Sequence, residues 1–117
     1  MTPLIKRLEA LTGPSREVDA EIAKAIGWVK YITWTSPNGR IYADCPNFTN
    51  SLDAAMTLVP AGYENEMSDL YGIARVRVGM NYKDGPFFGE CKAGSLPIAF
   101  CIAAMKAREV DSVQIPD

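Results

Sequence analysis

The stretch LPIAFCIAAMKARE, residues 96–109, decides how this chain folds. Its pattern predicts a helix that opens at Gly94 and Ser95 and ends near Arg108, with Ser95 as the N-cap. A helix packed only on a sheet should show a polar back, yet residues 96–105 are apolar almost all round. The helix therefore needs cover on two sides, from other parts of the chain or from a second subunit.

The second-subunit alternative makes the chain a homo-oligomer, a dimer or larger, whose copies meet through the last helix. Its predicted interface residues are Leu96, Phe100, Ile102 and Met105.

The chain before this helix contains three shorter helical patterns. Residues 3–11 have apolar side chains at helical spacing, and Ser15 is a good cap for a second helix that stops at Gly27. A third helix, from 51 to 59, is closed by Pro60.

Strand composition fills most of the remaining sequence. The predicted strands cover 28–35, 40–43, 62–67, 72–81 and 86–92. In the fourth, Val76 and Val78 face one way, while Arg75 and Arg77 face the other. The order predicts one α+β domain over residues 1–117, with a mainly antiparallel sheet of four to five strands and a flexible tail from 111 to 117.

Composition excludes several classes of function. The chain has 117 residues, a net charge of −2, scattered basic residues and no histidine, so duplex nucleic acid is not an expected partner. The lack of histidine also excludes most zinc sites and the catalytic dyads that need a histidine. We expect no catalytic residues, metal or cofactor. No apolar run suits a signal peptide or membrane span, which predicts a cytoplasmic protein.

The first candidate ligand site is the polar start of the third helix. Helix N-termini leave backbone N–H groups unpaired and favour negative charge. Capping explains one or two polar residues there, and the surplus predicts contacts to a phosphate or ribose. Asp53 favours a ribose hydroxyl or a cationic group over bare phosphate. The residues concerned are Thr49, Asn50, Ser51 and Asp53.

Two further groups complete the predicted site. Gly94 and Ser95, after a lysine, form either a minimal anion cradle or an ordinary strand-to-helix turn. Arg75 and Arg77 either hold an anion or pair with the acidic residues at 64 and 66.

Two aromatic residues flank the loop before the third helix. Tyr42 and Phe48 belong either to the core or to a site where one of them stacks on a base.

Three stretches in this order resemble the phage ABA sandwich domain family: LTGPSREVDAEIAKAIG, FTNSLDAAMTLVP and LPIAFCIAAMKARE. The resemblance covers most of the chain and weakens between residues 62 and 92. It implies a small phage or prophage protein with an α/β/α sandwich, in which helices cover both faces of a sheet. It implies no established enzymatic activity.

These observations lead to a first hypothesis of a non-enzymatic phage protein that binds a small nucleotide-like ligand in the bacterial host cytoplasm. By analogy with phage proteins of similar size, it would be an anti-defence sponge that sequesters a host immune signal. The alternative is a phage protein that inhibits or scaffolds a host protein without any small ligand. A third hypothesis, a hydrolase using Asp53 or Glu90 with Mg²⁺, lacks a paired-carboxylate motif.

Overall fold

The computed structural model describes residues 2–60, 62–70, 72–79, 87–91 and 95–114, which form an α+β fold. Its helices are α1 (Thr2–Glu9), α2 (Arg16–Ala25), α3 (Leu52–Met56) and α4 (Leu96–Gln114). Its strands are β1 (Val29–Lys30), β2 (Trp34–Thr35), β3 (Ile41–Tyr42), β4 (Glu64–Leu70), β5 (Ile73–Gly79) and β6 (Phe87–Cys91). They form two antiparallel sheets of three strands, ordered β1-β2-β3 and β4-β5-β6, instead of the single predicted sheet.

Helix α4 lies between the β4-β5-β6 sheet and the other helices. It packs against β5 and β6 on one side and against α1 and α3 on the other. At 3.6 residues per turn, Ala99 and Ala103 lie on the opposite face from Cys101. The first two approach Gly89 of β6, whereas the Cys101 thiol lies 3.4 Å from the carbonyl oxygen of Phe48. Both sides of the apolar helix are therefore covered within one chain.

This packing corrects the predicted oligomer interface. Phe100, Ile102 and Met105 are buried inside the chain, and Leu96 is half-buried. The first three side chains are therefore not available to a second subunit. The helix also continues to Gln114, so residues 111–114 belong to α4 and not to the predicted tail, while 115–117 lie outside the described residues.

The β4-β5-β6 sheet has two different faces. Val76 and Val78 are buried beneath α4, whereas Arg75 and Arg77 are exposed on the other side, which confirms the predicted alternation. In the described part of the chain, each helix that packs on this sheet does so on the α4 side. The outer face is therefore open here, and the predicted cover of both faces is not observed.

The β1-β2-β3 sheet is a small ribbon with a bend that the sequence did not reveal. The predicted continuous strand over 28–35 is divided into β1 and β2, which pair antiparallel with each other. The Tyr31 N–H donates to the Thr33 carbonyl at 2.9 Å and closes the bend between them. Ile32, at its tip, is 99% exposed and does not share the buried environment of Trp34.

Serine caps place the helix starts where the sequence predicted them. Ser15 accepts a hydrogen bond from Val18 N–H, Ser51 from Ala54 N–H, and Ser95 from Ile98 N–H. Each cap pairs a backbone donor that the helix itself leaves free. Among the described residues, no helix is both long enough and apolar enough to cross a membrane.

Gly89 permits the close approach of β6 to α4, which gives the first prediction. A Cβ at this position would lie 2.8 Å from the backbone nitrogen of Ala103 and closer still to the Ala99 carbonyl oxygen. Since backbone atoms cannot rotate away, Gly89→Ala should lower the free energy of unfolding by about 3 kcal/mol or more. Urea denaturation followed by circular dichroism measures this loss.

The matched control for this substitution is Gly13→Ala. A Cβ at Gly13 meets no atom within 4 Å, so the free energy of unfolding should change by less than about 1 kcal/mol. Equal effects of the two substitutions would contradict the close packing of β6 on α4.

Candidate functional site

The polar residues before α3 have separate roles. Ser51 is the N-cap of α3, and its Oγ accepts from Ala54 N–H at 3.2 Å. Thr49 is buried; its Oγ1 lies 2.8 Å from Asp19 Oδ1 and accepts from Ser15 N–H at 2.8 Å. Asp53 is exposed in the first turn of α3. Thr49 is therefore occupied within the protein and is not a ligand-binding side chain in this structure.

Asp19 fixes the 44–50 loop against α2. Its buried carboxylate accepts from the Thr49 N–H and hydroxyl at Oδ1, both at 2.8 Å, and from Arg16 Nη1 at Oδ2, at 2.9 Å. A buried carboxylate requires such partners because its desolvation is otherwise costly. Asp19 is therefore the organising group of the region.

Arg16 extends the network from Asp19 across the loop. Its Nη2 donates to the Cys45 carbonyl at 2.9 Å and lies 2.7 Å from Asp44 Oδ1. The pKa of Asp44 is lowered, first by the hydrogen bond from Cys45 N–H and also by Arg16. Burial raises the pKa of the Cys45 side chain despite the nearby guanidinium, so at neutral pH this side chain is an uncharged thiol.

A cavity of about 440 Å³ opens beside this network. Asn50 is the one predicted site residue in its lining, and its neighbours come from the α1–α2 connection, α2 and the 44–50 loop. The lining residues are Pro14, Arg16, Asp19, Cys45, Pro46, Asn47 and Asn50.

The two predicted arginines lie elsewhere, on the open face of the β4-β5-β6 sheet. Arg75 Nε donates to Glu90 Oε2 at 3.2 Å, and Arg77 lies opposite Glu66 in the register. Both arginines line a separate depression of about 190 Å³. The ion-pair alternative thus holds for Arg75, although its partner is Glu90 of β6 instead of an acid on β4.

In the part of the chain that the structure describes, the predicted groups therefore do not meet in either cavity. The 440 Å³ cavity is lined by neither Arg75, Arg77 nor Ser95, and the 190 Å³ depression is lined by no residue of 49–53. Ser95 serves as the N-cap of α4, and Gly94 lies outside the described residues. An anion held jointly by the two helix starts and the arginines is not supported by this arrangement.

The two predicted aromatic residues also differ from each other. Phe48 is buried in the core, so it cannot stack on a ligand. Tyr42 is partly exposed on the ribbon, where its ring lies 5.4 Å from that of Trp28.

An exposed apolar surface on the ribbon was missed by the sequence reading. We call it the ribbon surface: Val29, Tyr31, Ile32 and Ile41, of which Ile32, Tyr31 and Ile41 are 99%, 81% and 70% exposed. Strand pairing places both Val29 and Ile41 beside Thr35, on one face of the ribbon. The bend at 31–33 exposes Tyr31 and Ile32. This bend is visible only because the predicted strand is divided into β1 and β2.

The segment that contains the ribbon is basic, and this signal was present in the sequence. Residues 22–43 contain Lys24, Lys30 and Arg40 but no acidic residue. Because the whole chain has a net charge of −2, this segment carries +3 and the remainder −5. All three basic side chains are exposed.

Comparisons with known proteins returned no matching family model, no matching curated protein and no matching solved structure. Among the described residues, no three histidine, cysteine, aspartate or glutamate side chains are grouped to hold a metal ion.

The buried Asp19 network gives the second prediction. Asp19→Ala leaves the buried Thr49 N–H and hydroxyl without their carboxylate, so the free energy of unfolding should fall by about 3 kcal/mol. Asp53→Ala, which removes an exposed acid from the first turn of α3, should cost less than about 1 kcal/mol. Thermal and urea unfolding of the two variants measure the difference, and similar small losses would contradict the role assigned to Asp19.

Proposed function

We propose that the chain is a non-enzymatic interaction protein that binds another protein through the ribbon surface. The observation that carries this proposal is the exposure of Ile32, Tyr31 and Ile41. Soluble proteins do expose single apolar residues, but a cluster of large ones indicates an interaction site. Two members of the cluster, Val29 and Ile41, lie on one face of the ribbon because both pair with Thr35 of β2.

The size of this surface suits a protein partner. The exposed fractions of its four side chains correspond to an area on the order of 600 Å², which is most of the roughly 800 Å² that each partner contributes to a standard interface. Its most exposed member is Ile32, which, like Ile41, cannot stack on a base as an aromatic ring does, so Tyr31 is the one strongly exposed ring of this surface. A protein therefore fits this surface better than a single-stranded nucleic acid.

Charge specifies the partner further. Residues 22–43, which include the ribbon, carry a charge of +3, and their three basic side chains are exposed. A complementary protein has an apolar patch bordered by acidic side chains, which would speed encounter and disfavour other partners. The resemblance to the phage ABA sandwich domain family supports a bacterial host protein as this partner, which the chain would inhibit or scaffold.

We place this function ahead of the sequestration of an anionic nucleotide signal. Sequestration required one hollow that collected the helix starts and both arginines. Of these groups, Asn50 lines the 440 Å³ cavity, whereas Arg75 and Arg77 line the separate 190 Å³ depression. Arg75 is already paired with Glu90, at 3.2 Å.

Site-specific crosslinking tests the proposed function. A photoreactive amino acid at position 32, introduced in bacterial cells, should crosslink a host protein; the same group at position 56 should not. Met56 is the matched control because it is another exposed apolar side chain but lies on α3. The crosslinked protein is then purified for direct titration by calorimetry.

Direct titration decides whether the captured protein is the partner. Ile32→Ser combined with Ile41→Ser should weaken binding at least about tenfold, Met56→Ser should leave it unchanged, and affinity should fall as salt rises. Unchanged affinity of the double variant would refute the proposal. Crosslinks at position 32 that join only two copies of this chain would also refute it and would indicate self-association.

A further inference from the structure

The Arg16 guanidinium is held by its edge, which leaves a flat face available. Nη1 donates to Asp19 Oδ2, while Nη2 donates to the Cys45 carbonyl and pairs with Asp44. Hydrogen bonds to a guanidinium lie in its plane. Because the side chain remains 48% exposed, its face can stack on a planar ligand, as arginine faces do on nucleobases.

Two asparagines supply polar groups in the same cavity. Asn47 and Asn50 both line it and are both exposed. Each amide offers two N–H donors and a carbonyl acceptor, a combination that matches adjacent donor and acceptor atoms on the edge of a base. Pro14 and Pro46 add apolar wall, and the volume of about 440 Å³ is in the usual range for small-molecule sites.

The charge of the cavity disfavours phosphate. Arg16 is surrounded by two carboxylates, Asp19 at 2.9 Å and Asp44 at 2.7 Å. One positive and two negative groups leave a local charge of about −1, so a phosphate brought into this space would be repelled. An uncharged ligand avoids this repulsion and still gains the stacking and amide contacts.

We propose that the cavity lined by Arg16, Asn47 and Asn50 binds an uncharged planar nitrogen heterocycle, of which a purine nucleoside is the test ligand. The base would stack on the Arg16 face, and the two amides would read its edge. This site uses different residues from the ribbon surface, so its occupancy is independent of the proposed protein partner.

Calorimetric titration with adenosine, guanosine and their 5′-monophosphates tests the proposal on the full chain. At least one nucleoside should bind with a Kd of about 0.1 mM, and its monophosphate should bind at least about fivefold more weakly. Asn47→Ala and Asn50→Ala should each weaken nucleoside binding about tenfold. Asn65→Ala is the matched control, because its exposed amide lies on β4 and outside this cavity.

Arg16→Lys separates the flat face from the positive charge. Lysine keeps the charge but has no planar group, so nucleoside binding should weaken at least tenfold. Circular dichroism melts show whether Arg16→Lys folds. If it does not, the binding measured for the two asparagine variants tests the proposal instead. Absence of nucleoside binding at 1 mM, equal or tighter binding of the monophosphate, or folded asparagine variants with unchanged affinity would each overturn the proposal.

Discussion

The structure depends on covering a helix that is apolar on all sides. Helix α4 cannot lie on the surface without exposing a large apolar area, which would cost roughly 25 cal/mol for each Å². The β4-β5-β6 sheet covers one side, where Gly89 lets β6 approach the backbone of Ala99 and Ala103. Helices α1 and α3 cover the other side. The demand for two-sided cover is thus met within a single chain.

This arrangement determines which surfaces remain for binding. Because α1 and α3 pack on α4, they lie on the same side of the sheet as that helix, and no described helix covers the face with Arg75 and Arg77. The β1-β2-β3 ribbon is a separate sheet and exposes apolar side chains, including Ile32 and Ile41. A third surface, the Arg16 cavity, exists because buried Asp19 holds the 44–50 loop against α2. Three different surfaces therefore follow from one packing scheme and one buried carboxylate.

Local patterns predicted the local parts of this structure well. The caps Ser15 and Ser95 were identified, and Ser51 was among the candidates for the third, because a cap acts on a backbone N–H only three residues away. The alternation of β5 was likewise predicted, since it depends on a period of two. The need for two-sided cover of α4 was also evident from its sequence. The elements that supply this cover could not be predicted, because they depend on contacts between segments far apart in the chain.

The candidate site was harder to predict for the same physical reason. Thr49 appeared as a surplus polar residue, and only the fold shows that its hydroxyl meets Asp19, thirty residues away. Phe48 could equally have belonged to the core or to a site, and burial decides for the core. The bend at 31–33 interrupts a stretch whose composition favours a continuous strand, so the exposure of Ile32 was hidden. The absence of acidic residues between 22 and 43 was the one available signal for the ribbon surface.

Amide hydrogen exchange at several protein concentrations tests the self-sufficient burial of α4 most directly. If one chain covers this helix on both sides, amides of residues 98–105 should be among the slowest to exchange, with rates that match global unfolding. Those rates should not change between micromolar and near-millimolar protein. Fast exchange in α4, or protection that disappears on dilution, would show that a second subunit supplies the cover and would contradict the account.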